Sequence, residues 1–432
     1  MKLTGNLADT MMGNIPPETF ADGTCHMIPA FGNMCVFETK EGLIIFDLPL
    51  KPLAPPSFKK LREITEKPVK YLIYSHGHID HAYGFDPIIK EVKEKGWEMP
   101  EIIAHENCIK RFKKYNMLDQ YHEWLNQQQF SALTKGRGKL FPSHEELEPT
   151  IVLRGNDVYK FKFGGYNLEL YPEYGETDDA IWLWIQDKKV IFAGDLMVSH
   201  FPNVGNPFKV QRYPKGWALA MEKMLEKHAE WLAPGHGVLI EGENKVQEVL
   251  SVTAEALNFV HDEVVKRMNE GKWFEQIFHE LVEIYPDRLK NHEYLAPIYG
   301  CFEFAIHAVY RLYHGWYDTG NPTDLFPAKS EDIATELLEI ADEQKYIEQA
   351  KKNIEEGNLQ MALHLLDVII KGTEQGNDEL LLETYKLKSR VLKKRAKEQT
   401  SFIAANIINN GTTFLRPKIK ELEKRLKEKK QN

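Results

Sequence analysis

Cysteine is scarce in this chain, and the few cysteines are widely scattered. The 432 residues include four of them, Cys25, Cys35, Cys108 and Cys301, and no CxxC pair occurs. A structural zinc knuckle needs such pairs, so this class of site is not expected. A disulfide framework is not expected either, because disulfide-stabilised domains are far richer in cysteine.

Long apolar runs and a positive charge excess are also missing. No stretch of about 18 apolar residues occurs that could form a membrane-spanning helix. The N-terminal segment "MKLTGNLADTMM" lacks the apolar centre of a signal peptide. The net charge of −9 disfavours nucleic acid and anionic membranes as general partners, because both attract basic surfaces. We therefore expect a soluble, cytoplasmic protein with neither kind of partner.

The first part of the chain has a mixed strand and helix pattern. Its length predicts two or three domains. A buried strand, a helix and a second strand follow one another over residues 69–106, as in a β-α-β unit, and strand pairs are expected over 159–173 and 180–197. We predict an α/β domain over residues 1–245, with a helical insertion at about 107–148.

The second part of the chain has helical spacing almost throughout. We predict a helical domain over residues 246–415 and a charged helical tail over residues 416–432. Within it, residues 346–370 are expected to form two helices that break at Gly357–Asn358. No repeated period is found, so a repeat array is not predicted.

Three histidines and an aspartate stand within the six residues of "HGHIDH". His76 and His78 follow an apolar strand, and alternate side chains leaving a strand point to the same side. They can therefore converge on one metal ion, while Asp80 and His81 turn toward a second. Such a dense pattern rarely arises by chance, so the motif is a strong indication of a metal site.

Further ligands of a two-metal site should follow later strands. Glu176 in "YGETDD", Asp195 in "IFAGDLM" and His236 in "LAPGHG" each lie near a glycine and close to apolar sequence. Each alone would be weak, since a carboxylate at a strand end is often a turn former. His105 also follows a strand, and we expect a structural or supporting role for it.

The order H-x-H-x-D-H, G-x-T-x-D, G-D, P-G-H-G resembles the metallo-β-lactamase superfamily over residues 25–240. This resemblance implies an αββα sandwich with two divalent metal ions at one edge of two facing sheets. It implies that one metal is bound by His76 and His78, the other by Asp80, His81 and His236, and that Asp195 bridges both. Glu176 replaces a histidine of the common pattern, as in the alkylsulfatase branch. Zinc suits this donor set, with manganese and iron as alternatives.

A second, independent resemblance concerns the helical part. Residues 310–327, 346–370 and 401–411 resemble the alkylsulfatase dimerisation domain, which implies a homodimer. Those enzymes often carry a further C-terminal sterol-carrier-like domain, which we do not expect in this sequence.

The branch holds its sulfate with an asparagine and arginines after the bridging carboxylate. Asn203 and Arg212 stand at matching positions, whereas the first arginine is not matched and Lys209 lies near its place. Lysine lacks the planar fork of a guanidinium, so anion recognition is expected to differ. His200 is a further candidate for contact with the substrate.

These residues lead to one main functional hypothesis and several alternatives. We expect a binuclear hydrolase, a sulfatase that cleaves small anionic alkyl sulfate esters by attack of a metal-activated water. No side-chain acid or base is identified. The alternatives are a lactonase, thioesterase or phosphodiesterase of the same fold, a flavodiiron-like redox protein, and a non-catalytic dimeric scaffold.

Overall fold

The structure is a computed structural model that describes residues 14–130, 148–373 and 377–431. Within them the chain forms two compact units, one of residues 14–123 and 148–316, the other of residues 124–130, 317–373 and 377–431. Helices lie over the first part of the predicted insertion, at Glu106–Met117 and Asp119–Gln129, and its "TKGRGKLFPS" segment lies outside the described residues. The insertion itself stays a prediction.

The first sheet has seven strands in sequential order. The strands at one end pair antiparallel up to β4, and the remaining ones pair parallel. The strands are β1 (Glu18–Phe20), β2 (Cys25–Ile28), β3 (Met34–Thr39), β4 (Gly42–Phe46), β5 (Val69–Ile73), β6 (Glu101–His105) and β7 (Ile151–Leu153). The predicted β-α-β unit is β5, the following helices and β6.

The second sheet has six strands in the order β13-β12-β11-β10-β9-β8. All its neighbours pair antiparallel except β11 and β12, which are parallel. The strands are β8 (Tyr159–Phe163), β9 (Tyr166–Glu173), β10 (Ala180–Ile185), β11 (Val190–Val198), β12 (Trp231–His236) and β13 (Ile240–Glu241). Both predicted strand pairs, over 159–173 and 180–197, are present.

Helices cover the outer faces of both sheets in the first unit. They are α1 (Ala54–Ile64), α2 (Ile79–Ala82), α3 (Asp86–Lys95), α4 (Glu106–Met117), α5 (Asp119–Gln129, which ends in the second unit), α6 (Pro214–Leu225), α7 (Glu243–Asn269), α8 (Phe274–Ile284), α9 (Asp287–Lys290) and α10 (Phe302–Tyr313). Short 3₁₀ turns lie at Lys51–Leu53, Gln186–Lys188, Glu293–Leu295 and Pro322–Leu325.

The alternation of side chains along β10 builds the layers. Ile181 and Leu183 point into the apolar core between the two sheets, while Trp182 and Trp184 join a second core under the helices. On the first sheet, Leu43 and Ile45 of β4 face a third core beneath α1, α3 and α4. Because successive strand residues point to opposite faces, strands buried on both sides are apolar throughout. The result is the predicted αββα sandwich.

The second unit is helical in its described residues. It contains α11 (Ser330–Ile340), α12 (Glu343–Glu355), α13 (Leu359–Gly372), α14 (Asp378–Lys397) and α15 (Phe402–Gln431) around a core of its own. The predicted break at Gly357–Asn358 separates α12 from α13, and Gly357 has a positive φ of 83°. Three helices of the predicted helical domain, α7, α8 and α10, pack on the second sheet. The predicted start of the charged tail, residue 416, lies inside α15. The domain boundaries at residues 245 and 415 stay predictions.

No helix in the described parts of the chain combines the length and the apolar character needed to cross a bilayer.

Candidate metal centre

The seven predicted metal ligands meet at one edge of the sandwich. His76 and His78 lie in the loop after β5, Asp80 and His81 in the short α2, Glu176 between β9 and β10, Asp195 in β11 and His236 at the end of β12. They form two groups, and within each group the ligand atoms lie within 4.8 Å of one another. The first metal group is His76, His78, Glu176 and Asp195, and the second metal group is Asp80, His81 and His236.

Glu176 faces the first pair of histidines. Its Oε2 lies 3.4 Å from Nδ1 of His78 and 3.6 Å from Nε2 of His76, and these two nitrogens are 2.7 Å apart. Burial is the main cause that lowers the pKa of His76, to about 3, so this imidazole is neutral at physiological pH. A neutral imidazole is the form that binds a metal ion.

Asp195 lies between the two groups. Its Oδ2 is 3.9 Å from Nε2 of His76, while its Oδ1 is 3.3 Å from Nε2 of both His81 and His236. Gly235 makes this approach possible, because a Cβ there would lie 2.2 Å from Oδ1 of Asp195. The two carboxylate oxygens thus face different groups, which is the arrangement that a bridging ligand needs.

Several buried polar atoms at this edge lack hydrogen-bond partners within the described ranges. They are Oε2 of Glu176, Oδ1 of Asp195 and Nε2 of His81, whose polar neighbours at 3.3–3.7 Å are other members of the two groups and form no hydrogen bond with them. Leaving such atoms buried and unsatisfied is costly, so they point to a ligand that is not protein. The donor set of three carboxylates and four imidazoles fits divalent transition metals.

Asp47 supports this centre and was missed from the sequence. Its Oδ2 lies 2.8 Å from Nδ1 of His81, and its Oδ1 accepts a 2.6 Å hydrogen bond from the Ser75 amide. The local signal was available, because Asp47 directly follows the apolar strand β4, much as Asp195 follows apolar residues of β11. A carboxylate behind a histidine ligand fixes its tautomer and ring orientation.

We expect Asp47→Asn to weaken metal binding by about 10–100-fold, because His81 loses its charged acceptor. Competition with a chromogenic zinc chelator measures this change. Asp378→Asn is the matched control, since Asp378 is an equally buried carboxylate paired with Lys429 and Arg425 in the second unit. Equal metal affinity in Asp47→Asn and wild type would contradict the assigned role.

Arg111 and Asp179 form a second supporting contact that the sequence did not reveal. The Arg111 Nε lies 3.2 Å from both carboxylate oxygens of Asp179, and Arg111 also pairs with Asp178. Asp179 in turn accepts a 2.9 Å hydrogen bond from the amide of Gly77, the residue between His76 and His78. A helix of the predicted insertion, α4, is thereby tied to the loop that carries His76 and His78.

His105 has the structural role that was one of its two expected uses. Its Nδ1 caps α4 by accepting a hydrogen bond from the Asn107 amide, and its Nε2 lies 3.2 Å from the Gly155 carbonyl oxygen. Both ring nitrogens are therefore engaged away from the two groups.

Two of the predicted substrate residues, Arg212 and Asn203, contact the Glu176 side chain. The Arg212 guanidinium contacts Oε1 of Glu176, donates a 2.8 Å hydrogen bond to the Asn203 carbonyl, and is buried. The Asn203 amide donates to the same Oε1 at 3.3 Å. Arg212 and Asn203 therefore hold one oxygen of Glu176 while the other faces His76 and His78. Direct contact of the two residues with a substrate stays a prediction.

The other two predicted substrate residues differ in character. Lys209 is half-buried, and its amine is close enough to Asp80, Arg111 and Lys114 for their charges to influence its pKa. His200 is buried, its Nδ1 lies 3.0 Å from the Phe201 carbonyl, and burial lowers its pKa to about 4. The imidazole of His200 is thus neutral and bound to backbone, and its contact with substrate remains untested.

Comparison with known proteins matches both parts of the chain. The metallo-beta-lactamase superfamily model matches residues 28–236, and the alkyl sulfatase dimerisation model matches residues 274–418. A linear primary-alkylsulfatase from a Pseudomonas species is 27% identical over 329 residues, covering 71% of this chain and 60% of that protein. An (R)-specific secondary-alkylsulfatase from Pseudomonas sp. is 23% identical over 87% of this chain and 58% of its own length.

The fold is shared with a solved structure. The stereoselective inverting sec-alkylsulfatase from Pseudomonas sp. superposes with a TM-score of 0.77 at 20% identity, covering 94% of this chain and 67% of that one. The chain thus spans about 60% of the length of the curated relatives that it matches.

Proposed function

Since the chain belongs to the metallo-β-lactamase superfamily, in the branch with the alkylsulfatase dimerisation domain, we propose that it is a metal-dependent hydrolase of alkyl sulfate esters. The position of Glu176 carries this proposal. A carboxylate there, held by Arg212 and Asn203 against His76 and His78, is the feature that separates this site from the all-histidine pattern.

The residues divide the work between two ions. His76, His78 and Glu176 would hold one ion, Asp80, His81 and His236 the other, and Asp195 would serve both. When bound, two divalent ions lower the pKa of a coordinated water and stabilise the charge that develops on the ester. Zinc is our first choice, because it accepts this mixture of imidazole and carboxylate donors.

The cations near the site would bind and orient the ester. Burial lowers the pKa of Arg212 to about 10, so its guanidinium stays charged and fixes the orientation of Glu176. Lys209, with Lys114 nearby, gives this side of the site a positive field although the chain carries a net charge of −9. A monoanionic sulfate is attracted to such a field.

A panel of esters tests the proposed reaction. Protein reconstituted with zinc or manganese is incubated with primary and secondary alkyl sulfates, an aryl sulfate, a phosphodiester, a lactone and a thioester. We expect release of inorganic sulfate from the alkyl sulfates, measured by ion chromatography. Turnover of the lactone, thioester or phosphodiester without any sulfate release would contradict the proposal and favour another hydrolase of this fold.

The charge of Lys209 predicts a pH dependence of substrate binding. Burial is the main cause that lowers its pKa to about 8, Asp80 opposes this shift, and Arg111 and Lys114 add to it. The amine is charged below that pH and neutral above it, so KM for an alkyl sulfate should rise about tenfold between pH 7 and 9.5, the loss of one charged hydrogen bond.

The variant Lys209→Arg keeps its charge over this range and should show a flat KM. Lys209→Met should show the high KM at every pH. Initial rates at several pH values, separated into kcat and KM, decide the matter. A rise of KM in Lys209→Arg as large as in wild type would assign the titration to another group.

We also propose that the chain forms a homodimer through α11. Ile333, Leu337 and Ile340 lie on one face of this helix, and Ile340 is 82% exposed. Phe326, just before the helix, is 87% exposed. Exposed apolar patches of this kind mark interaction sites, and this one lies within the match to the dimerisation family.

Light scattering on a sizing column checks the dimer. We expect wild type at twice the chain mass of 50.1 kDa, and the double variant Leu337→Glu, Ile340→Glu at the chain mass itself. Met99→Glu is the control, since Met99 is 48% exposed in the first unit and should leave the mass unchanged. A dimer of undiminished stability in the double variant would place the interface elsewhere.

A further inference from the structure

The loop between β2 and β3, residues 29–33, contacts Asp80 and His236 of the second metal group. In this loop, Gly32 packs so closely on Asp80 that a Cβ at position 32 would lie 1.8 Å from the Asp80 carbonyl oxygen. Phe31 places its ring edge-on to the ring of His236, with centroids 5.6 Å apart. The sequence motifs that indicated the metal site do not include this segment.

Asn33 makes the strongest contacts of the loop. Its side-chain Nδ2 donates hydrogen bonds to the carbonyls of Pro234 at 3.0 Å and Gly237 at 3.1 Å. Its backbone amide donates to the Gly235 carbonyl at 2.8 Å. One residue thus binds three of the four carbonyls of the "PGHG" turn, which consists of the end of β12 and the bend at Gly237 and carries His236.

The buried side-chain amide of Asn33 both donates and accepts hydrogen bonds. It is 1% exposed, and its Oδ1 accepts from the Ala30 amide at 3.4 Å, so the amide group is used on both sides. Pro234 lies in β12 and Gly237 just beyond its end, and β13 pairs with β12 earlier, at Trp231 and Leu232. The Asn33 side chain thus supplies donors to two buried carbonyls that lie past this pairing. Without Asn33, the carbonyls of Pro234 and Gly237 lose these donors in a buried place.

We propose that Asn33 is a positioning residue for the second metal group. It holds the "PGHG" turn so that Nε2 of His236 faces Asp80 and Asp195, from which it lies 3.4 Å and 3.3 Å. This inference rests on the proposed function, since it assigns Asn33 to the binding of one of the two proposed ions. The first group contains no residue of this turn, so its ion should be unaffected.

Stepwise zinc binding is the test. Apo protein is titrated with zinc against a chromogenic chelator, and the number and affinity of bound ions are fitted. Wild type should take up two ions per chain. Asn33→Ala should bind one ion with wild-type affinity and the other about 10–100-fold more weakly, the usual effect of removing a group that orients a metal ligand.

Thr39→Val is the matched control. Thr39 is the last residue of β3, the strand that begins directly after Asn33, and it is also buried. Its hydroxyl donates a 3.0 Å hydrogen bond to the Gly42 carbonyl, far from the metal groups. This variant should lose a comparable amount of thermal stability and keep both ions. Should Asn33→Ala not accumulate as folded protein, Asn33→Ser, which keeps one donor, should show a smaller loss of the same ion.

Distinct results would overturn the inference. Two ions of wild-type affinity in Asn33→Ala, equal weakening of both ions, or the same loss in Thr39→Val would each remove the specific role of Asn33. A wild-type protein that takes up no zinc or manganese would instead refute the proposed function, and this inference with it.

Discussion

Alanine in place of His76 should abolish the proposed sulfate-ester hydrolysis. His76 is 1% exposed and lies within 3.9 Å of both Glu176 and Asp195. A metal ion in a hydrolytic site supplies several kcal/mol of transition-state stabilisation, so its loss should lower kcat about 1,000-fold or more. Sulfate release and metal content are measured on the same sample.

The control for this experiment is His105→Ala. His105 is nearly as buried, but it caps α4 rather than facing the metal groups. Loss of a helix cap costs about 1 kcal/mol of unfolding free energy, and the metal content and kcat should remain. Wild-type kcat with two bound ions in His76→Ala would refute the assignment of His76 as a ligand.

Arg212→Ala should have the second large effect, on stability and on binding together. The Arg212 and Glu176 side chains are 6% and 8% exposed, so the substitution leaves a buried carboxylate without its cation. Breaking one side of a buried ion pair costs about 3–5 kcal/mol. Urea unfolding of the apo protein should show a loss of this size, and KM for alkyl sulfates should rise.

Two variants separate pairing from general damage. Arg212→Lys keeps the charge but not the planar fork, so its loss should be intermediate. Arg288→Ala removes an exposed pair with Glu255 and should cost less than about 1 kcal/mol. If Arg212→Ala unfolds at the same urea concentration as wild type, the ion pair with Glu176 does not stabilise the fold.

The alternation of strands and helices and the candidate ligands could be predicted from the sequence because their signals are local, whereas the sandwich was what the family resemblance implied. His76, His78, Asp80 and His81 share one loop, and the remaining candidates lie at or near strand ends that a strand pattern alone can locate. Gly96 and Gly357 mark helix ends by the same local logic, since both have a positive φ. Edges of sheets collect strand ends, so the assembly of the site followed from the fold.

The supporting residues could not be found in this way. Asn33 and the "PGHG" turn lie about 200 residues apart in sequence, and Arg111 contacts Asp178 and Asp179 from helix α4. Asp47 has the same local pattern as Asp195, yet only its contact with His81 separates it from an ordinary turn residue. Arg212 was placed as an anion ligand, and its contact with Glu176 depends on tertiary packing.

The helices on the outer face of the second sheet restrict where chains of this kind can recombine. α8 and α10 fall inside the match to the dimerisation family, yet Ile277, Leu281, Ala305, Ile306 and Val309 pack in one core with Trp182, Ile191 and Trp217. Recombination between the two family matches would separate these helices from the second sheet and expose its apolar face. We therefore expect that recombinants with a crossover between residues 236 and 274 do not fold.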